Sequence, residues 1–259
     1  MQSTDESGLF DTAMATSSSR IKKAWRMLKS EGPGHALRAA GTRLLLSARA
    51  RLNEEFYERR FGIRTRGKIS LAALEIDDPD AVWYAPTSYA AFFRSMKHVP
   101  VSGAFVDYGS GLGRTLIAAA TFPFVRVTGV ELSQSLVTAS LQNIAKARGT
   151  ICRNVDVICT NAAHWHVPPD VTVFHFYNPF LKQTLRTVVG NIAQSLNEAP
   201  RQIWIVFANP WGMAPLMRSG EVIPHEWQKQ STDEIWPLHP RLKNDPDGAR
   251  YRIYAIDSR

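Results

Sequence analysis

The sequence predicts an α/β fold: a Rossmann-like, doubly wound, mostly parallel seven-stranded sheet with an antiparallel C-terminal edge, preceded by a helical N-terminal extension. Three observations carry this expectation. From Phe105 onward, short β-rich runs alternate with helical patterns, the order that builds a parallel sheet covered on both faces. A glycine-rich turn, Gly109-Ser110-Gly111-Leu112-Gly113, follows the first of these runs directly. Near the end, "EWQKQ" and "RYRIYAID" read as two more strands joined by a Pro-rich loop, which close the sheet as an antiparallel edge.

Residues 1–19 are rich in Ser, Thr and Asp without periodicity, and read as a disordered tail. Their acids and their lack of an apolar segment exclude a secretory signal. From Arg20 the pattern changes. Ile21, Ala24, Trp25 and Leu28 share one face and Lys22, Lys23, Arg26 and Lys29 the other, the spacing of a basic amphipathic helix. "EGPGH" breaks it, and a second helix is expected from about Ala36 to Leu52, continuing through "NEEFYERRFG" to Phe61. Residues 1–70 hold 14 Lys/Arg against 7 Asp/Glu, so +7 of the total +8 lies there. Residues 20–79 are therefore set apart as a basic helical extension, and residues 80–259 as the main domain. No apolar run reaches the roughly 18 residues of a membrane span. Cys152 and Cys159 are too few for a disulfide framework and wrongly spaced for a CxxC site, which fits a cytoplasmic protein.

In the main domain the strand-like runs are "GAFVDY", "VRVTGVEL", "VDVICTNA", "VTVFHFYNPF" and "QIWIVFANP". The helical segments between them are "RTLIAAAT", "SQSLVTASLQNIAKA" and "LKQTLRTVVGNIAQSL". In such a sheet the first strand-to-helix turn faces the ligand. The glycine loop stands there, so the loop is read as a binding loop. A dinucleotide fingerprint counted from Gly109 finds Gly111 but then Arg114 where the third glycine belongs, and the P-loop pattern is absent. Glu131 ends the second strand, where an acid can accept both hydroxyls of a ribose. Asp107 precedes the loop, and a carboxylate there favours a cationic ligand over a pyrophosphate. Together these residues point to a cationic nucleoside. His164, His166 and His175 read as structural histidines, with no metal site.

Asp107-x-Gly109-Ser110-Gly111-x-Gly113, then "GVEL" with Glu131, then Asn178-Pro179-Phe180 after the fourth strand, resembles a class I S-adenosylmethionine-dependent methyltransferase over about residues 80–259. "RFGIRTRGKISLAAL", "YAPTSY" and "VDYGSGLGRTLIAAA" are similar to a poorly characterised bacterial group of these enzymes. Over a few residues the loop also resembles that of the non-SET histone lysine methyltransferases. The resemblance implies S-adenosyl-L-methionine as cofactor. Gly109, Ser110, Gly111 and Gly113 would pass beneath its methionine and ribose parts, with Asp107 supporting the loop or the amino group. Glu131 would hold the ribose and Leu132 would lie against the adenine. Asn161, with Ala162 beside it, stands where many relatives place an Asp for the adenine amine; an amide oxygen still accepts that bond. Tyr84, Thr87 and Tyr89 of "YAPTSY" would cap the methionine end.

Asn178, Pro179 and Phe180 are the candidate catalytic residues. The resemblance implies that the Asn178 oxygen accepts from an acceptor N–H group while Phe180 stacks on the acceptor, a leaning to N-methylation. Related amine enzymes have two residues between the Asn and the aromatic, and here only Pro179 intervenes. The rival readings are a nicotinamide-dependent oxidoreductase, disfavoured by Arg114, and a non-catalytic binding protein on the same fold. The basic N-terminal helix has three candidate partners: an anionic membrane, a nucleic acid, or the protein's own catalytic domain, on which it would dock as a lid.

Overall fold

Parallel strands buried on both faces need apolar residues at nearly every position, and the central strands have them: β1 (Ala104–Tyr108) is buried throughout. β2 (Arg126–Glu131), β3 (Val155–Cys159), β4 (Val171–Phe176) and β5 (Gln202–Ala208) run parallel, and β7 (Tyr251–Asp257) pairs antiparallel with β5. The sheet order is β3-β2-β1-β4-β5-β7-β6. Among the described residues six strands are substantial, and β6 (Ser231–Thr232) pairs antiparallel along the outer edge of β7. The antiparallel C-terminal edge matches the sequence expectation. "EWQKQ" itself lies outside the described residues.

The computed structural model describes residues 34, 37, 38, 41, 42, 44, 45, 47–208, 231–232 and 251–258. The chain divides into two units, Met1–Arg49 and Ala50–Arg259. In the first, the described residues 34–45 are helical. Gly34 is helical although it falls in the expected "EGPGH" break; a glycine costs a helix only about 1 kcal/mol against alanine. The expected tail, the Ile21/Ala24/Trp25/Leu28 stripe and its partners lie outside the described residues. Among those described, no helix is long and apolar enough to cross a membrane.

The second unit begins with helix α1 (residues 50–61), so residues 50–79, grouped above with the extension, belong with the sheet. Period-two alternation splits each strand between two cores. Val106, Tyr108, Phe174 and Phe176 face helix α5 (Lys182–Glu198) through Leu185, Val188 and Ile192. Phe105, Val127 and Val173 face the other layer, which includes Phe61 of α1, Phe92 of α2 (Tyr89–Ser95) and Leu116 of α3 (Arg114–Ala119). Helix α4 (Gln134–Lys146) follows β2, its N-terminus capped by the Ser133 hydroxyl. Strand order reverses between β1 and β4, and such a switch point opens a crevice at the carboxyl ends of the two strands.

Candidate functional site

The crevice at that switch point is a cleft lined from the carboxyl ends of β1, β2 and β4 and from the segment before α2, the concave setting in which ligand sites are found. Its floor is the glycine loop. Gly109 and Gly111 hold φ of +69° and +54°, in the left-handed region that side chains disfavour. A Cβ on Gly109 would overlap Pro179, and one on Gly111 would overlap the Tyr84 ring. The absent side chains thus admit the chain's own residues: they seat the Asn178-Pro179-Phe180 turn on one side of the loop and the "YAPTSY" segment on the other. Gly113 caps α3 and packs against Ser140.

Glu131 ties the end of β2 to this loop. Its Oε2 accepts from the Gly111 N–H at 2.8 Å, and its Oε1 from Leu132 and Ser133 at 2.9 and 3.0 Å. Burial raises its pKa above the ordinary carboxylate range; the three N–H donors oppose that rise, and Asp107 adds to it. Asp107 is the second buried acid. It pairs in register with His175 of β4, and the His175 Nδ1 lies 2.7 Å from Asp107 Oδ1. An ionised carboxylate only accepts, so Nδ1 carries the proton and donates. The imidazole is fully buried, edge-on to Phe92 and stacked on Phe105, and its Nε2 meets no partner among the described residues. His175, read from sequence as structural, is thus what orients the cleft's acid; only the β1–β4 register brings them together. His175→Phe should lower stability by about 1–3 kcal/mol, the cost of a buried carboxylate losing its donor. Thermal unfolding checks this.

The far wall was not legible in the sequence. Ile69 and Tyr84 exchange backbone hydrogen bonds of 3.2 and 2.9 Å, closing a loop whose Leu74, Ile76, Asp78 and Trp83 line the cleft. The Asp80 carbonyl accepts from Leu181 N–H, and its carboxylate accepts from Thr184 N–H in the first turn of α5. These bonds fasten the loop to the Asn178-Pro179-Phe180 turn. The only sequence signal was the turn-forming run Asp77-Asp78-Pro79-Asp80, which does not reveal that Asp80 caps a helix about a hundred residues onward.

Of the residues singled out from sequence, Tyr84, Thr87, Asp107, Gly109, Ser110, Glu131, Leu132, Asn161, Ala162, Asn178, Pro179 and Phe180 all line the cleft. Gly111 and Gly113 are not among its lining residues; Gly111 packs against Tyr84, which is, and Gly113 against Ser140. Asn161 Oδ1 accepts from the Ala163 N–H at 2.9 Å, which fixes the amide's orientation. Phe180 is 6% exposed, its ring edge-on to Tyr108 and Phe176, so most of its surface belongs to the core. Asn178 sits at φ +45°, a region that asparagine tolerates better than other side chains.

Tyr89 departs from the expectation. It opens α2, is 1% exposed, and packs on Tyr57 and Phe61 beneath the Arg114 guanidinium rather than at the methionine end; burial pushes its hydroxyl up to about 12. Tyr84 lies in an extended segment and Tyr89 opens a helix, and of the two only Tyr84 lines the cleft.

Charge distinguishes this cleft. Asp78, Asp107 and Glu131 line it, and the one base, Arg114, is committed to Glu54 and Glu58 of α1. Among the described residues that line it, the cleft therefore presents carboxylates with no uncommitted base.

No family model matches the sequence, and no curated protein matches it. Solved structures share parts of the chain at low similarity. A putative S-adenosyl-L-methionine-dependent methyltransferase from Methanococcus maripaludis aligns at 14% identity and TM-score 0.44 over 66% of this chain and 85% of its own. An RNA methyltransferase from Salinibacter ruber, solved with S-adenosyl-L-homocysteine, aligns at 19% identity and TM-score 0.42 over 67% and 94%. The YcgJ protein from Bacillus subtilis aligns at 16% identity and TM-score 0.39 over 46% of this chain, which spans half of that protein. At these values the alignments carry no argument about chemistry, and the reading below rests on the cleft.

Proposed function

We propose that the chain is an S-adenosylmethionine-dependent methyltransferase acting on a nitrogen acceptor. The observation that carries this reading is the pair of buried carboxylates, Asp107 and Glu131, flanking a glycine loop at the switch point, with no uncommitted base among the described residues that line the cleft. Such a cleft attracts a cationic nucleoside and repels the pyrophosphate of a nicotinamide cofactor. The sulfonium cofactor supplies an electrophilic methyl group. Asp107, oriented by His175, takes the ammonium; Glu131 takes the ribose hydroxyls on the oxygen capacity its backbone donors leave; Leu132 and Asn161 flank the base. Transfer is an in-line displacement, so the protein's main contribution is alignment and exclusion of water. Tyr84 and the 70–83 loop close one side, while Asn178 receives the acceptor N–H and orients its lone pair.

Incubating the protein with methyl-labelled cofactor and fractionated metabolites tests the reading. Label should enter an amine, and label entering only oxygen or carbon acceptors would contradict the nitrogen assignment. Asn178→Gly keeps the left-handed backbone but removes the amide. It should lower turnover on the labelled acceptor far more than cofactor affinity, since an orienting contact acts mainly in the transition state. Unchanged turnover would leave the Asn178-Pro179-Phe180 turn a structural element only.

A further inference from the structure

Arg114 occupies the position where a dinucleotide fingerprint has its third glycine, yet this arginine is 4% exposed. Its planar fork is filled from several segments at once. Nη2 donates to Glu58 Oε1 at 2.8 Å, Nη1 to Glu54 and to the Thr87 carbonyl at 3.1 Å, and Nε to Thr65 Oγ1 at 2.6 Å. Glu58 Oε1 also accepts from the Thr65 N–H and hydroxyl, each at 2.7 Å. The Tyr84 hydroxyl then donates to the Thr65 carbonyl at 2.6 Å, and the Tyr84 ring returns over Gly111. The bonds close a circuit: from the first residue of α3, through α1 and Thr65, to Tyr84, and back onto the loop that precedes α3. Thr65 is 0%, Glu58 5%, Thr87 6% and Tyr84 9% exposed, so water does not compete for the bonds among them; the Glu54 side of the fork is less buried.

We infer that Arg114 is a positioning residue: it latches residues 65–87 across the glycine loop and thereby sets the affinity of the cofactor cleft. This rests on the methyltransferase reading for the identity of the ligand, but not for the latch itself. A simple core ion pair needs one carboxylate. This guanidinium instead holds the backbone of Thr87, which lines the cleft, and the threonine that anchors Tyr84, which walls it. Lysine keeps the charge but cannot reproduce the fork, because its donors radiate from a single atom.

The test compares Arg114→Lys with Ile192→Ala, a control in the core beneath α5 that touches none of these residues. Both are measured by calorimetry with S-adenosylhomocysteine and by hydrogen exchange of the backbone amides of Tyr84, Ala85, Thr87 and Ser88 (residues 84–88, Pro86 having none). Arg114→Lys should weaken S-adenosylhomocysteine by at least about tenfold and speed exchange at 84–88, whereas Ile192→Ala should lower the melting temperature with affinity held within about twofold. Glu54→Gln removes one partner from the less buried side of the fork; should the lysine variant not fold, this one should show the same losses in smaller degree. Unchanged affinity and unchanged exchange at 84–88 in the Arg114 and Glu54 variants would overturn the latch. So would an equal loss of affinity in Ile192→Ala. If the wild-type protein does not bind S-adenosylhomocysteine, the methyltransferase reading fails, and exchange at 84–88 still decides the latch.

Discussion

Gly111→Ala should all but abolish S-adenosylhomocysteine binding and lower the melting temperature. Gly111 holds φ +54°, where a non-glycine residue costs about 1–3 kcal/mol. That strain is the smaller part. The added Cβ would overlap the Tyr84 ring, and the ring cannot retreat, because it is buried and its hydroxyl is tied to the Thr65 carbonyl. The loop must therefore move instead, pulling the Gly111 N–H from Glu131 Oε2 and displacing the residues that face the ligand. Calorimetry and thermal unfolding of the variant check this. Wild-type affinity in a stable Gly111→Ala protein would show that the Tyr84 wall is looser than its hydrogen bonds imply.

Glu131→Ala should weaken S-adenosylhomocysteine by about 1–3 kcal/mol, roughly 5- to 150-fold, as the ribose hydroxyls lose their acceptor. It also leaves the N–H groups of Gly111, Leu132 and Ser133 without the carboxylate that gathers them. The raised pKa adds a pH signature. Between the ordinary value of 4.5 and its raised value in the fold, Glu131 is ionised in the unfolded chain but protonated in the folded one. Its contribution to stability is fully present below 4.5 and is lost as pH rises through the folded value. Ligand affinity runs the other way, strengthening over the same window as the carboxylate ionises and accepts from the ribose. Glu131→Gln should flatten both dependences. An affinity that follows pH identically in the glutamine variant would assign the titration to another group.

The parts of this fold legible in the sequence were those set by local pattern. Strands β1 to β5 fall within the β-rich runs because parallel strands announce themselves as continuous apolar segments, and the glycine loop, Asp107 and Glu131 sit at strand ends that those runs define. What remained hidden depends on pairing across long separations. His175 and Asp107 meet only through the β1–β4 register, which the chain order does not reveal. Arg114 read as a departure from a dinucleotide motif, yet its partners Glu54 and Glu58 lie in a stretch whose charge marked it as part of a basic extension. Two of that stretch's acids are neutralised inside the fold, which composition cannot show. The resemblance alone groups Tyr89 with Tyr84, but Tyr84 lies in an extended segment and lines the cleft whereas Tyr89 opens α2 and is buried against Tyr57 and Phe61.

The central claim is that the cleft accepts a cationic nucleoside, and calorimetry on the purified chain tests it most directly. Titration with S-adenosylmethionine and S-adenosylhomocysteine should show saturable binding at one site per chain, abolished in Gly111→Ala and weakened in Glu131→Ala, while NAD under the same conditions gives none. Saturable binding of NAD with no heat from either S-adenosyl ligand would contradict the account.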